Sequence, residues 1–193
     1  MKNFTEEVMV KIIPYPSVNF NDRPEGTTID CVVIHYTDVA TLQETFDLLT
    51  NPKREASCHY LIDVDGTIYQ LVADEKRAWH AGPSSLMGCD NVNHFSIGIE
   101  LQNGGYYAGY ALTGFWPPFP DDQIDALNQL LLKLMKKFPI TPDRIVGHDD
   151  IVPDHRKIDL THIIPGQPLP DDCRIDPGPA FPWEKVREYI AKF

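Results

Sequence analysis

Ten residues, IDCVVIHYTD (Ile29–Asp38), constrain this chain more than any other stretch. Ile29, Cys31, Val32, Val33 and Ile34 form a short, β-branched apolar run. A run of that kind reads as a strand buried on both faces, in the interior of a sheet. It ends in His35, with polar Thr37 and Asp38 following. A histidine where a buried strand opens into a loop has a rigid backbone and a ring that meets the cleft. Taken alone it is more readily a hydrogen-bonded structural residue than a ligand. A second buried strand is expected at Phe95–Leu101, FSIGIEL, whose inner Gly98 points to close packing against it. Glu100 closes that strand, where a carboxylate is costly to bury unless it has a partner or a task.

The remaining elements are read outward from these two strands. Val8–Ile13 can form a short edge strand, followed by a loop over Pro14–Glu25. Thr41–Leu49 reads as a helix: Thr41 caps it, Glu44 completes a capping box, and Asn51-Pro52 stops it. Tyr60–Asp63 and Thr67–Val72 read as a hairpin through Val64-Asp65-Gly66. Gln102–Pro120 reads as a long loop. Its Tyr106, Tyr107, Tyr110, Phe115, Trp116 and Phe119 either wall a groove or cover a core edge. Asp121–Lys137 is the clearest helix, capped by Asp121 or Asp122, with Ile124, Leu127, Leu131 and Leu134 on one face. Arg144–Gly147 is a short strand leading to His148, Asp149–Pro182 is loop-dominated, and Trp183–Lys192 closes the chain as a helix. The alternation of short strands and helices places the chain in the α/β class.

At 193 residues the chain is long enough to bury a core as one domain, 1–193, with residues 1–27 as an N-terminal approach segment. A formal net charge of −11 and the lack of a basic cluster argue against nucleic acid and against an anionic membrane surface. Cys31, Cys58, Cys89 and Cys173 form no CxxC pair, which disfavours zinc ribbons and thioredoxin-type motifs. They read as reduced thiols of a reducing compartment. MKNFTEEVMVKIIPYPS lacks the continuous apolar stretch of a signal peptide, and no run approaches membrane-spanning length. A cytoplasmic location is expected, with the periplasm or cell envelope the alternative if an export signal has been removed.

Three polar residues share one setting, each just after a short apolar strand or in an adjacent tight loop: His35 in VVIH, His148 in RIVGH and Asp176 in RIDPG. Two imidazoles and a carboxylate make a three-ligand set with an open fourth position, as in catalytic rather than structural zinc sites. They lie too far apart for spacing alone to assemble them.

The motifs IDCVVIHYT, SCHYLIDVDGTIYQLV, AWHAG, NHFSIGIELQN, RIVGHDDIVP and IDPGPAFPW resemble, as an ordered set over most of residues 28–183, the zinc-dependent N-acetylmuramoyl-L-alanine amidases of the AmpD/AmiD type. That superfamily also holds the peptidoglycan recognition proteins. VNFNDRPEG resembles the AmiD-like branch. The resemblance implies a mixed central β-sheet flanked by α-helices. It implies hydrolysis of the amide between N-acetylmuramic acid and L-alanine of the stem peptide, with muropeptides or 1,6-anhydro-muropeptides as partners.

Carried across by motif, His35, His148 and Asp176 would hold Zn2+, and Glu100 would be the catalytic acid–base. Arg174, two before the ligand aspartate, would stabilise the oxyanion where the family usually has lysine. The chain departs from the family at residues 154–175, which read as a loop insertion. DHRKID (Asp154–Asp159) looks like the start of the family's closing motif and is interrupted before IDPGPAFPW. Lys157 is therefore an alternative to Arg174, and Asp159 a less favoured alternative to Asp176. His155 and His162 fall in the same insertion. His80 of AWHAG is expected to stand behind the metal ligands or to fix the loop, with Trp79 packed beside it, and Trp79, His80 and Asn103 are the candidates for touching substrate. The full ligand set favours an enzyme over a recognition module, and the lack of HExxH disfavours a zincin-type peptidase.

Overall fold

The computed structural model describes residues 11–160, 163–170 and 173–192. Among them the strands are β1 (Ile12–Pro14), β2 (Phe20–Asp22), β3 (Cys31–Tyr36), β4 (Tyr60–Ile62), β5 (Ile68–Gln70), β6 (Lys76–Ala78), β7 (Ser85–Leu86), β8 (Cys89–Asp90), β9 (Ser96–Leu101) and β10 (Ile145–Gly147). The helices are α1 (Leu42–Thr50), α2 (Ala111–Thr113), α3 (Asp121–Lys137), α4 (His148–Ile151) and α5 (Trp183–Ile190). Six strands make one mixed sheet in the order β1-β5-β4-β9-β3-β10. β4 and β5 pair antiparallel as the expected hairpin, whereas β4, β9, β3 and β10 run parallel. The two most apolar runs, β3 and β9, occupy the interior, as fully buried strands must.

Alternation along β3 and β9 sends successive side chains to opposite faces. Val32, Ile34, Ile97, Ile99 and Leu101 join the main core against Ile124, Leu127, Leu131 and Leu134 of α3 and Val186 and Ile190 of α5. The other face carries Cys31, Val33 and His35, paired one to one with Ser96, Gly98 and Glu100. One end of that face lies under α1, whose Phe46 and Leu49 pack on Leu61. The other end lies under Ala81, Val92 and Ile151, which pack on Cys31 and Val33. His35 and Glu100 sit between these two covers.

Several local expectations are met. Thr41 caps α1 and shares a capping box with Glu44. The Gly98 position is filled by its neighbour: a Cβ there would lie 2.4 Å from the His80 ring. The four cysteines are free thiols, with Cys31 and Cys58 buried. No helix among the described residues is long and apolar enough to cross a membrane.

Other expectations are corrected. β3 runs on through His35 to Tyr36, so the histidine lies inside the strand and not at its exit. α3 has Pro120 at its N-cap, with no side-chain cap. Asp121 and Asp122 lie in the first turn, where their charge meets the positive end of the helix dipole. The edge strand β1 covers Ile12–Pro14, and Val8–Val10 lie outside the described residues.

Within Gln102–Pro120 the chain is helical over Gly105–Tyr110, as a π-helical turn, and continues into α2. Gly105 makes this possible: its φ is +51°, and a Cβ would lie 2.4 Å from the Tyr36 ring. Tyr106 packs with Tyr36 and Ile175, and Tyr110 and Trp116 stack beside it. The Tyr106 hydroxyl donates to the carbonyl of Gln167, and that of Tyr110 to Ile163 O at 3.3 Å. These aromatics therefore seat the segment at residues 163–170. Tyr106→Phe is expected to cost about 1 kcal/mol, as one lost buried hydrogen bond does, lowering Tm by roughly 2–4 °C. Thermal denaturation checks this, and limited proteolysis should cut faster within residues 163–170.

Candidate metal centre

Strand register builds the site. His35 partners Glu100 across β3 and β9, and Gly147 partners Ile34 across β10 and β3. The residue after Gly147, His148, therefore comes level with His35. Glu100 and His35 sit side by side on β9 and β3, and His148, the first residue of α4, follows β10 beside them. Asp176 is brought to them by the backbone: the Asp149 N–H donates to the Asp176 carbonyl at 3.1 Å. Among the described residues, Asp176 is the carboxylate placed with the two histidines. Asp159 lies exposed elsewhere.

Nδ1 of His35 lies 2.8 Å from Asp176 Oδ2, and Nδ1 of His148 lies 3.1 Å from the same oxygen. One ligand atom from each of the three residues falls within 4.8 Å of the others, and all three residues are buried. Nε2 of His148 is 3.3 Å from the Ala81 carbonyl, which can only accept. A proton on Nε2 satisfies that carbonyl and leaves Nδ1, which faces a carboxylate oxygen, able to offer a lone pair to a cation.

Without a cation, the same Nδ1 atoms can instead carry protons and donate to Asp176, and the charges of the metal-free protein reflect that state. Burial pushes the His35 pKa down, against the pull of Asp176. Burial alone would raise Asp176, but His148 and His35 outweigh it and hold the carboxylate well below its usual range. An ionised carboxylate beside imidazole lone pairs is a donor set that fits a metal cation.

The cavity over this group has a volume of about 330 Å³. Its lining includes His35, His80, Glu100, His148, Arg174 and Asp176. Glu100 is half-buried, and its Oε2 is buried with no hydrogen-bond partner among the described residues. Burial, then the charges of Asp176 and Asp38, push its pKa well above the ordinary glutamate value. This glutamate faces the cavity rather than bulk solvent.

Arg174 reaches the cavity, while Lys157 is exposed outside its lining and pairs with Asp154 at 3.3 Å. His80 lines the cavity, and Trp79 does not: its indole N–H donates to Asn21 Oδ1 at 2.9 Å. Asn103 is also outside the lining. Its amide donates to the carbonyls of Pro117 and Pro118, and its Oδ1 accepts from Gly105 N–H. Trp79 and Asn103 are thus struts of the surrounding loops. His162 and the His155 side chain lie outside the described residues.

Sequence reasoning missed six lining residues, Tyr36, Asp38, Leu169, Pro170, Cys173 and Ile175, whereas Tyr107 was among the aromatics expected to wall a groove. Only Asp38 carried a local signal, three positions past His35. Its Oδ1 accepts from the Tyr107 N–H at 2.7 Å, and burial pushes its pKa up to about 6.

The N-acetylmuramoyl-L-alanine amidase family (Amidase_2) matches residues 25–167, a span containing His35, Glu100 and His148. The 1,6-anhydro-N-acetylmuramyl-L-alanine amidase AmpD of Haemophilus influenzae is 34% identical over 187 residues, covering 88% of this chain and 86% of its own. The N-acetylmuramoyl-L-alanine amidase AmiD of Escherichia coli is 32% identical over 169 residues, covering 83% of this chain. The chain spans about half of AmiD's length, 52%. The structure of Escherichia coli AmiD in complex with anhydro-N-acetylmuramic acid-L-Ala-D-gamma-Glu-L-Lys superposes with a TM-score of 0.68 at 30% identity, covering 86% of this chain and 60% of that one. With this likeness in sequence and fold, the chain belongs to the N-acetylmuramoyl-L-alanine amidase family.

Proposed function

We propose that this protein is a zinc amidase that hydrolyses the amide between N-acetylmuramic acid, or its 1,6-anhydro form, and L-alanine of peptidoglycan stem peptides, in cell-wall turnover or recycling. The observation that carries the reading is the convergence of His35, His148 and Asp176 beside a cavity that also holds Glu100. Support for the substrate class comes from the named activities of AmpD and AmiD and from AmiD's bound anhydro-muropeptide.

His35, His148 and Asp176 would hold the ion. When bound, zinc supplies Lewis acidity that makes water nucleophilic near neutral pH and polarises the scissile carbonyl. Glu100 accepts the proton of the attacking water and returns it to the departing alanine nitrogen. An amine is a poor leaving group, so the returned proton matters as much as the first transfer. A carboxyl with a raised pKa suits both steps. Arg174 is a fixed cation, unable to act as an acid at neutral pH, and stabilises negative charge on the former carbonyl oxygen.

Mass spectrometry of products from anhydro-muropeptides and from intact sacculi tests the reading. Free stem peptide beginning with L-alanine is the expected product, lost on chelation and regained with zinc. Binding without cleavage in the zinc-loaded protein would replace the enzyme by a recognition module. Arg174→Ala should lower kcat about 10²–10³-fold, the scale of one oxyanion donor. Lys157→Ala should leave kcat unchanged. The reverse pattern, read by steady-state kinetics, would transfer the role to Lys157.

A further inference from the structure

We propose that His80 is a positioning residue of the metal centre, which fixes His35 in the tautomer that turns its free nitrogen to the ion. The inference rests on the metal-binding reading above and concerns how the ligands are aimed.

The argument is a count of protons. Ser96 Oγ lies 2.7 Å from the Val92 carbonyl, and the serine is fully buried. A hydroxyl has one proton and a carbonyl none, so Ser96 donates to Val92. Ser96 Oγ is also 3.1 Å from His80 Nε2, and there it can only accept. His80 therefore carries its proton on Nε2 and presents a lone pair at Nδ1. That nitrogen is 3.1 Å from His35 Nε2, which must donate to it. The His35 lone pair is left at Nδ1, on the Asp176 side. Reversing the tautomer of either ring would set lone pair against lone pair or proton against proton.

The neighbouring residue does the same for the other ligand, since the Ala81 carbonyl takes the His148 Nε2 proton. Residues 80 and 81 thus orient both imidazoles from one turn. That turn is pinned in its own right: Asn93 Oδ1 accepts from His80 N–H at 3.1 Å and from Ala81 N–H at 2.9 Å. The His80 ring also rests on the bare backbone of Gly98. Packing alone could explain a large side chain there, so the test must separate filling from hydrogen bonding.

Zinc affinity, measured by competition with a chromophoric chelator, is the readout, with the visible spectrum of the cobalt-substituted protein as a second. His80→Ala should weaken zinc binding about 10–100-fold, as lost outer-shell partners do, and alter the cobalt spectrum. His80→Asn, whose Oδ1 can accept the His35 proton, should recover most of the affinity. His80→Ala/Gly98→Ala refills the space without an acceptor and should stay weak. If that double variant regains wild-type affinity, or His80→Ala never loses it, His80 is packing only and the proposal falls. Should His80→Ala unfold by circular dichroism, Ser96→Ala decides: it frees the His80 tautomer and should weaken zinc several-fold, and unchanged affinity overturns the proposal. A wild-type protein that takes up no zinc would instead refute the metal centre itself.

Discussion

Asp176→Asn is expected to abolish stable metal binding while leaving the fold intact. The substitution keeps the shape and removes the charge. In the wild type the Nδ1 atoms of both histidines face one oxygen, at 2.8 and 3.1 Å. In the variant an amide N–H₂ at that place can donate to both rings, so the metal-free pocket becomes internally satisfied. Loss of a direct ligand should exceed the roughly 10–100-fold penalty of outer-shell changes. Zinc at 1,000 times its wild-type Kd should stabilise the wild type by about 4 kcal/mol and the variant hardly at all. Thermal melts with and without zinc, beside bound-metal analysis, measure this.

The pH dependence of the metal-free proteins adds a signed check. Asp176 is held below its usual range, so its contribution to stability is present above the unfolded value near ~3.9. It is lost as the pH falls below that value toward the depressed one. The variant should lack this part of the acid limb. Full zinc-dependent stabilisation of Asp176→Asn would remove the residue from the ligand set.

Glu100→Ala and Glu100→Gln should bind zinc with wild-type affinity and lose about 10²–10⁴-fold in kcat, the scale of general acid–base catalysis. The carboxylate lies in the cavity beside the ligands, is absent from the ligand group, and has one oxygen buried without a partner. A group in that state is poised to exchange a proton rather than to hold structure. Its raised pKa fixes the sign of the wild-type profile. As the pH falls through that value the base is protonated and turnover is lost, above the ordinary glutamate value near ~4.3. Removing the charge also relieves repulsion from Asp176 and Asp38, so Glu100→Gln should melt no lower than wild type. Near-wild-type turnover in Glu100→Gln would exclude Glu100 from proton transfer, and loss of zinc would make it a ligand.

Most of the frame was legible because it rests on short-range rules. β-branched runs gave β3 and β9, Thr41 with Glu44 gave the start of α1, and apolar spacing gave α3. Gly98 was read as a point of close approach, but not which ring approaches. Elsewhere the determining contacts are tertiary. GGYYAGY has no helical period, and its turn forms because Tyr106 finds Tyr36 and Ile175 while its hydroxyl finds the Gln167 carbonyl. Trp79 and Asn103 have the chemistry of ligand-contacting residues, and only their partners show that they brace loops. Ser96 and Asn93 gave no signal, since a serine opening a strand and an asparagine in a short turn are common, and their partners lie at His80 and Ala81.

The alignment of Glu100, His35 and His148 on one level depends on pairing between strands that are far apart in the chain. Sliding β9 by a single position against β3 would turn Glu100 into the greasy interior and bring Leu101 or Ile99 to the cavity. The same slip on β10 would misplace His148. Uptake of an ion would thus serve as proofreading for the architecture: a molecule whose strands have settled out of step holds no complete nest for a cation. Metal content per chain should therefore track the correctly assembled fraction of a refolded batch.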